Sequence, residues 1–136
     1  GTMSIILTLL ASSTALPADT VVGRWQTESR HGVVEITRCG QSICGALISS
    51  DGIKANPELR DEKNKTAALR GRPLRGLQIL QGFTWKSGRW AGGSIYNAED
   101  GGTYSATVTL ADRDHLRLKG CIVWPLCKTQ TWTRLR

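Results

Sequence analysis

Two arginines, Arg70 and Arg72, stand in the most distinctive run of the chain, Arg70-Gly71-Arg72-Pro73-Leu74-Arg75-Gly76. A proline disfavours helix at the residue before it, so Arg72 is expected in extended backbone, where side chains two apart point the same way. Two guanidinium groups so placed would grip a carboxylate or phosphate through charge-assisted hydrogen bonds. A structural role competes with that one and is favoured over it: Asp61, Glu62 or Asp51 pairs with these arginines and pins the segment down. A second set is aromatic. Phe83, Trp85, Trp90, Tyr96 and Tyr104 fall close together, and most are expected in the core, with the remainder lining the mouth of one cavity. Apolar rings with arginines near an entrance suit a small hydrophobic or amphipathic ligand with an anionic head.

The other reactive residues do not assemble into a catalytic pattern. The chain has no Gly-x-Ser-x-Gly, no His-Glu-x-x-His and no phosphate-cradling glycine loop. His31 sits in a turn-like run, His115 alternates with Arg117 and Lys119, and Asp61-Glu62 lies in a charge-rich stretch that solvates carboxylates. No catalytic residue, cofactor or metal is expected, and a hydrolase is the weaker alternative. Cys39-x4-Cys44 and Cys121-x5-Cys127 read as two disulfides of an exported protein. Three connectivities are open, and pairing within each local loop is favoured because strand-like runs bring the loop ends together. Loops this short are worth about 2 kcal/mol each in the chain-entropy picture. Zinc would prefer tighter spacings.

The elements that must carry these residues are strands. Val21–Glu28, Val33–Cys39, Ile43–Ser49, Leu77–Lys86, Arg89–Asn97, Thr103–Ala111, His115–Val123 and Lys128–Arg134 are each bounded by turn residues. Ser87-Gly88 is a two-residue hairpin connection. Tyr104, Ala106, Val108 and Leu110 share one face, opposite Thr103, Ser105, Thr107 and Thr109, and Leu116 and Leu118 oppose His115, Arg117 and Lys119. Eight such strands either close or leave edges exposed, so the fold class is all-β, an eight-stranded up-and-down antiparallel barrel. A two-sheet sandwich is the alternative. Ala91-Gly92-Gly93 leaves space or permits a bulge. Residues 51–76 carry no strand period and are expected as one long loop or short helix, with a helical turn at Thr66–Arg70.

The chain has 136 residues with a net charge of +7. Between Lys54 and Arg75, seven basic residues face three acidic ones, so more than half of the excess lies on that one connection. Gly1-Thr2 before the Met reads as a cloning scar, and the apolar run Ile5–Leu10 followed by small residues and Pro17 as a signal-peptide remnant, leaving residues 19–136 as a single domain. Ile5–Leu10 is far short of the roughly 20 apolar residues that span a bilayer. Export disfavours a nucleic-acid partner. An acidic envelope component is the expected counterpart of the basic charge, and the chain is expected to be a monomer.

Gly23-Arg24-Trp25 near the start, with Trp132-Thr133-Arg134 at the end, resembles the lipocalin and calycin pattern. In such barrels the Gly-x-Trp indole closes one end and an arginine from the last strand stacks on it, which gives Gly23, Trp25, Trp132 and Arg134 structural roles here. The ordered set C-G-Q-S-I-C-G, N-P-E-L-R-D-E-K-N, L-R-G-R-P-L-R-G, W-x-x-G-x-I-Y and L-C-x-x-Q-x-W-x-R is similar to the bacterial family called domain of unknown function 2147. That resemblance implies a small exported lipocalin-like barrel, periplasmic or secreted, without an established activity. The first functional expectation is a binding protein for a small hydrophobic or amphipathic, anionic ligand, with residues 51–76 as its lid. The alternative is a filled barrel that presents its surface to an envelope partner, as an inhibitor does.

Overall fold

The computed structural model describes residues 16–123 and 126–136. Most of the expected signal segment falls on residues 1–15, outside the described residues. The strands are β1 (Gly23–Gln26), β2 (Val33–Cys39), β3 (Ser42–Ser49), β4 (Leu77–Gln81), β5 (Thr84–Lys86), β6 (Arg89–Asn97), β7 (Gly102–Asp112), β8 (His115–Val123) and β9 (Leu126–Leu135), with a short helix α1 (Asp51–Ala55). All neighbours pair antiparallel, and β1 meets β9 while β4 meets both β3 and β6. The result is the closed eight-stranded barrel expected from the turn spacing, because β4 and β5 act as one bent strand along β6.

The bend at Gly82-Phe83 is the departure from the single strand expected over Leu77–Lys86. Gly82 takes φ +79°, and the facing strand answers with a register shift between Trp90 and Gly93, where Gly92 takes φ +70°. Phe83 turns in over Gly93, whose missing side chain leaves the room: a Cβ there would sit 2.5 Å from the ring. The space expected from Ala91-Gly92-Gly93 is therefore taken by an aromatic ring.

The first strand is shorter than expected because Ala18–Val21 coils as a 3-10 turn beneath it. This turn closes one end of the barrel. Trp25 donates its indole N–H to the Val21 carbonyl at 2.9 Å, and Trp90 donates to the Ala18 carbonyl at 3.0 Å. The Arg134 guanidinium lies 4.3 Å over the Trp25 ring and donates to the carbonyls of Thr20, Val22 and Arg113. Gly23, at φ +139°, makes this possible, since a Cβ would lie 2.7 Å from the guanidinium.

Inward rows follow the period-two reading. Ala106, Val108, Leu116 and Leu118 are buried, while His115, Arg117 and Lys119 are exposed. The four buried residues join Trp25, Val34, Ile36, Ile43, Ile79, Leu80, Phe83, Trp90, Tyr96 and Trp132 in one core cluster. The disulfides are Cys39–Cys44 and Cys121–Cys127, the local pairing.

Candidate functional site

The end of the barrel opposite the 3-10 turn carries the 27–32 and 98–101 connections and the long segment 51–76, and of the residues expected from sequence Arg70, Arg72, Tyr96 and Tyr104 lie there. The long segment is an ordered cap. Ser50 caps α1 by accepting from the Ile53 N–H at 3.1 Å. Beyond it, the chain doubles back as a narrow ribbon in which Asp61 N–H donates to the Arg72 carbonyl at 2.9 Å and Leu74 N–H to the Leu59 carbonyl at 3.0 Å. A 3-10 turn at Ala67–Leu69 lies where a helical turn was expected.

Asp61 holds this cap to the barrel wall. It is 1% exposed, in a run of otherwise solvated charges. One carboxylate oxygen accepts from the Tyr96 hydroxyl of β6 at 2.6 Å. The other accepts from Arg72 Nε at 3.0 Å and Asn64 Nδ2 at 2.9 Å. The Arg72 guanidinium also lies 5.5 Å over the Tyr96 ring. A buried carboxylate with three donors and a paired cation is stable where a lone one is not. Burial, together with the hydrogen bond to Asp61, pushes the Tyr96 hydroxyl up from its ordinary value of 10.0 to about 12.

Further ties close the rim. His31 Nδ1 lies 3.0 Å from the Asp51 carboxylate, and Asp51 N–H donates to the Arg30 carbonyl at 2.9 Å. Arg30 and Ser29 both donate to Glu99, at 3.2 and 2.8 Å. Gly101, at φ +74°, lets the cap settle onto the 98–101 turn, for a Cβ there would sit 1.9 Å from the Lys63 carbonyl oxygen. Tyr104 donates to the Asp100 carboxylate at 2.6 Å. Partial burial pushes the Asp100 carboxyl upward, but the hydrogen bonds from Tyr104 and the Gly102 N–H outweigh it and hold the group below its ordinary range.

The sequence-derived candidates therefore separate. Arg72 points inward to Asp61, whereas Arg70 follows the 3-10 turn in helical backbone and donates to the Asn64 carbonyl at 2.7 Å. The helical φ and ψ at Arg70 remove the extended geometry that would have aimed the pair together. Arg70 lines an open groove of about 350 Å³ with Arg60, Glu58 and Glu62, a wall of balanced charge. Phe83 and Trp90 are packed inside and Tyr96 belongs to the Asp61 latch, while Trp85 is partly exposed and packs against Trp90 at a tilt, with ring centroids 5.3 Å apart. Trp85 and Trp90 border a cleft of about 160 Å³ at the closed end, beside Leu16, Val21 and Leu110. Among the described residues no cluster of three or more His, Cys, Asp and Glu is placed to hold a metal.

The barrel interior is packed. Trp25, Val34, Ile36, Ile43, Leu80, Trp90, Val108 and Leu116 have no accessible surface at all. Trp90 and Val108 stand at the margin of the small cleft at the closed end, and the other six, drawn from five strands, border no water-sized chamber. An eight-stranded barrel is narrow enough to be filled in this way. Asn64 and Gly101 were not singled out in the sequence, and only the short spacing from Asp61 to Asn64 offers a signal for the first.

Protein HP1028 from the human pathogen Helicobacter pylori, described as belonging to the lipocalin family, superposes with a TM-score of 0.75 at 27% identity, covering 85% of this chain and 83% of that one. No curated protein matches the chain. The shared architecture is a binding-protein fold. Residues 23–134 match the family described as uncharacterized protein conserved in bacteria (DUF2147), and the chain belongs to it.

Proposed function

We propose that this protein is a binding module of the bacterial envelope that works through the outside and rim of a filled barrel. The observation that carries this reading is the set of eight interior side chains with no accessible surface. A carrier needs a chamber of roughly 300 Å³ or more to bury a small ligand, and these side chains occupy that space. The two disulfides support work in an oxidising compartment, periplasmic or extracellular. No helix among the described residues is long and apolar enough to cross a membrane. The basic surface, +7 over the chain, suits an acidic envelope partner.

One feature favours the second reading, a carrier of a small hydrophobic or amphipathic anionic ligand. The cap is held to the wall at Tyr96 by a polar latch, and opening it would bare Arg72 beside the Tyr96 ring. That reading also needs core side chains to move aside. Native mass spectrometry of the protein purified from its own bacterium separates the two. The filled-barrel reading expects the polypeptide mass alone; a stoichiometric small-molecule adduct would contradict it.

A further inference from the structure

The β8–β9 hairpin runs past its pairing with the neighbouring strands. The ladder from β8 to β7 ends at Ser105–Cys121, and β9 meets β1 only through Thr133, Arg134 and Leu135. Past Cys121, the described residues of the hairpin pair only with each other, at Val123–Leu126. A two-stranded ribbon is marginal by itself in water, and here the Cys121–Cys127 disulfide ties its two sides together where the pairing to β7 ends.

What this ribbon presents is apolar. Ile122 is 73% exposed and Leu126 64%, well above the other exposed large hydrophobics among the described residues, which lie between 36% and 39%. Leu126 follows Trp132, Gln130 and Lys128 at two-residue spacing, while Ile122 stands at the register shift between Cys121 and Val123, where the alternation is broken. The hairpin thus carries two largely exposed apolar side chains beyond its last pairing with β7 and β1.

Its flanks are basic. Arg117 lies opposite Thr131, Lys119 opposite Thr129 and Lys128 opposite Gly120, and the three basic side chains are exposed. From His115 to Arg136 the chain holds five Lys and Arg residues and no Asp or Glu. Apolar side chains flanked by cations match a bilayer surface, with Ile122 and Leu126 at the acyl boundary and the cations at anionic head groups. Lys128 on the strand edge disfavours strand addition, the mode by which a protein partner would use this ribbon.

We propose that the β8–β9 tip is a docking finger that seats the protein on an anionic lipid surface through Ile122 and Leu126, with Lys119 and Lys128 at the head groups. This rests on the reading that the protein binds through the outside of its barrel. Co-sedimentation of the full chain with phosphatidylglycerol vesicles, against phosphatidylcholine vesicles, tests it. The parent is expected to sediment with the anionic vesicles and to be released by salt.

Ile122→Ser with Leu126→Ser is expected to weaken binding roughly ten-fold or more with an unchanged melting temperature. Lys119→Gln with Lys128→Gln is expected to weaken it roughly five-fold per charge and flatten the salt dependence. Both double variants keep the apolar run Ile5–Leu10, so a loss belongs to the tip. A parent that ignores anionic vesicles at low salt, or double variants that bind as the parent does, would overturn the assignment. So would sedimentation analysis showing that the Ser variant loses self-association rather than vesicle binding. No vesicle binding by a protein free of cargo removes the finger and leaves the filled barrel standing, whereas stoichiometric cargo removes the reading beneath both.

Discussion

The cap and the wall meet at one carboxylate, and its partners set how the molecule responds to pH. The Tyr96 hydroxyl holds its proton to about 12 in the folded protein, against an ordinary value of 10.0. The stability this contributes is complete below pH 10, because both states then carry the proton. It is lost as pH rises from about 10 to about 12, where the unfolded chain ionises first, and it amounts to about 3 kcal/mol. Denaturant unfolding of the parent and Tyr96→Phe across that range checks this. The variant is expected to be less stable by about 1.5–3 kcal/mol below pH 10, with the gap closing toward pH 12; parallel curves would contradict the latch. Gly23, Trp25 and Arg134 could be read from the sequence because a glycine, an indole and a guanidinium in fixed order have a local geometric sense. Asp61 could not be told from Glu62 and Asp51, since burial depends on Tyr96, 35 residues away.

Among the elements, the strands were legible because period two and turn residues are local properties. The break between β4 and β5 was not, because it depends on Phe83 finding the space over Gly93 across the sheet. The cap was legible only as an interruption: its ribbon is made by Asp61–Arg72 and Leu59–Leu74 backbone bonds that no period announces. Two glycines with left-handed backbone separate conformational strain from docking. Gly40, at φ +64°, has nothing near its Cβ position, whereas Gly101, at φ +74°, faces the Lys63 carbonyl. Gly40→Ala is expected to cost about 1–2 kcal/mol, the backbone strain alone. Gly101→Ala adds a collision with backbone and is expected to cost about 2–4 kcal/mol. Hydrogen exchange should place the additional opening in residues 59–76, and equal losses spread through both proteins would show that the cap does not rest on that turn.

For the whole molecule, charge and packing give one division of labour. The interior is filled by three buried indoles, Trp25, Trp90 and Trp132, with aliphatic side chains around them. The basic excess lies on the cap and on the β8–β9 hairpin. Composition showed the charge, and motif order showed the barrel. Whether the barrel was hollow could not be read, because Phe83, Trp90 and Tyr96 have the same residue types whether they line a chamber or fill one. The most direct measurement is a titration of the parent and of a latch-released Asp61→Asn variant with a fluorescent fatty-acid analogue, followed by energy transfer from the buried tryptophans. A filled barrel predicts no saturable transfer in either protein. A one-to-one saturable signal in the parent, or its appearance when the latch is released, would show that the interior holds a ligand and would contradict the account.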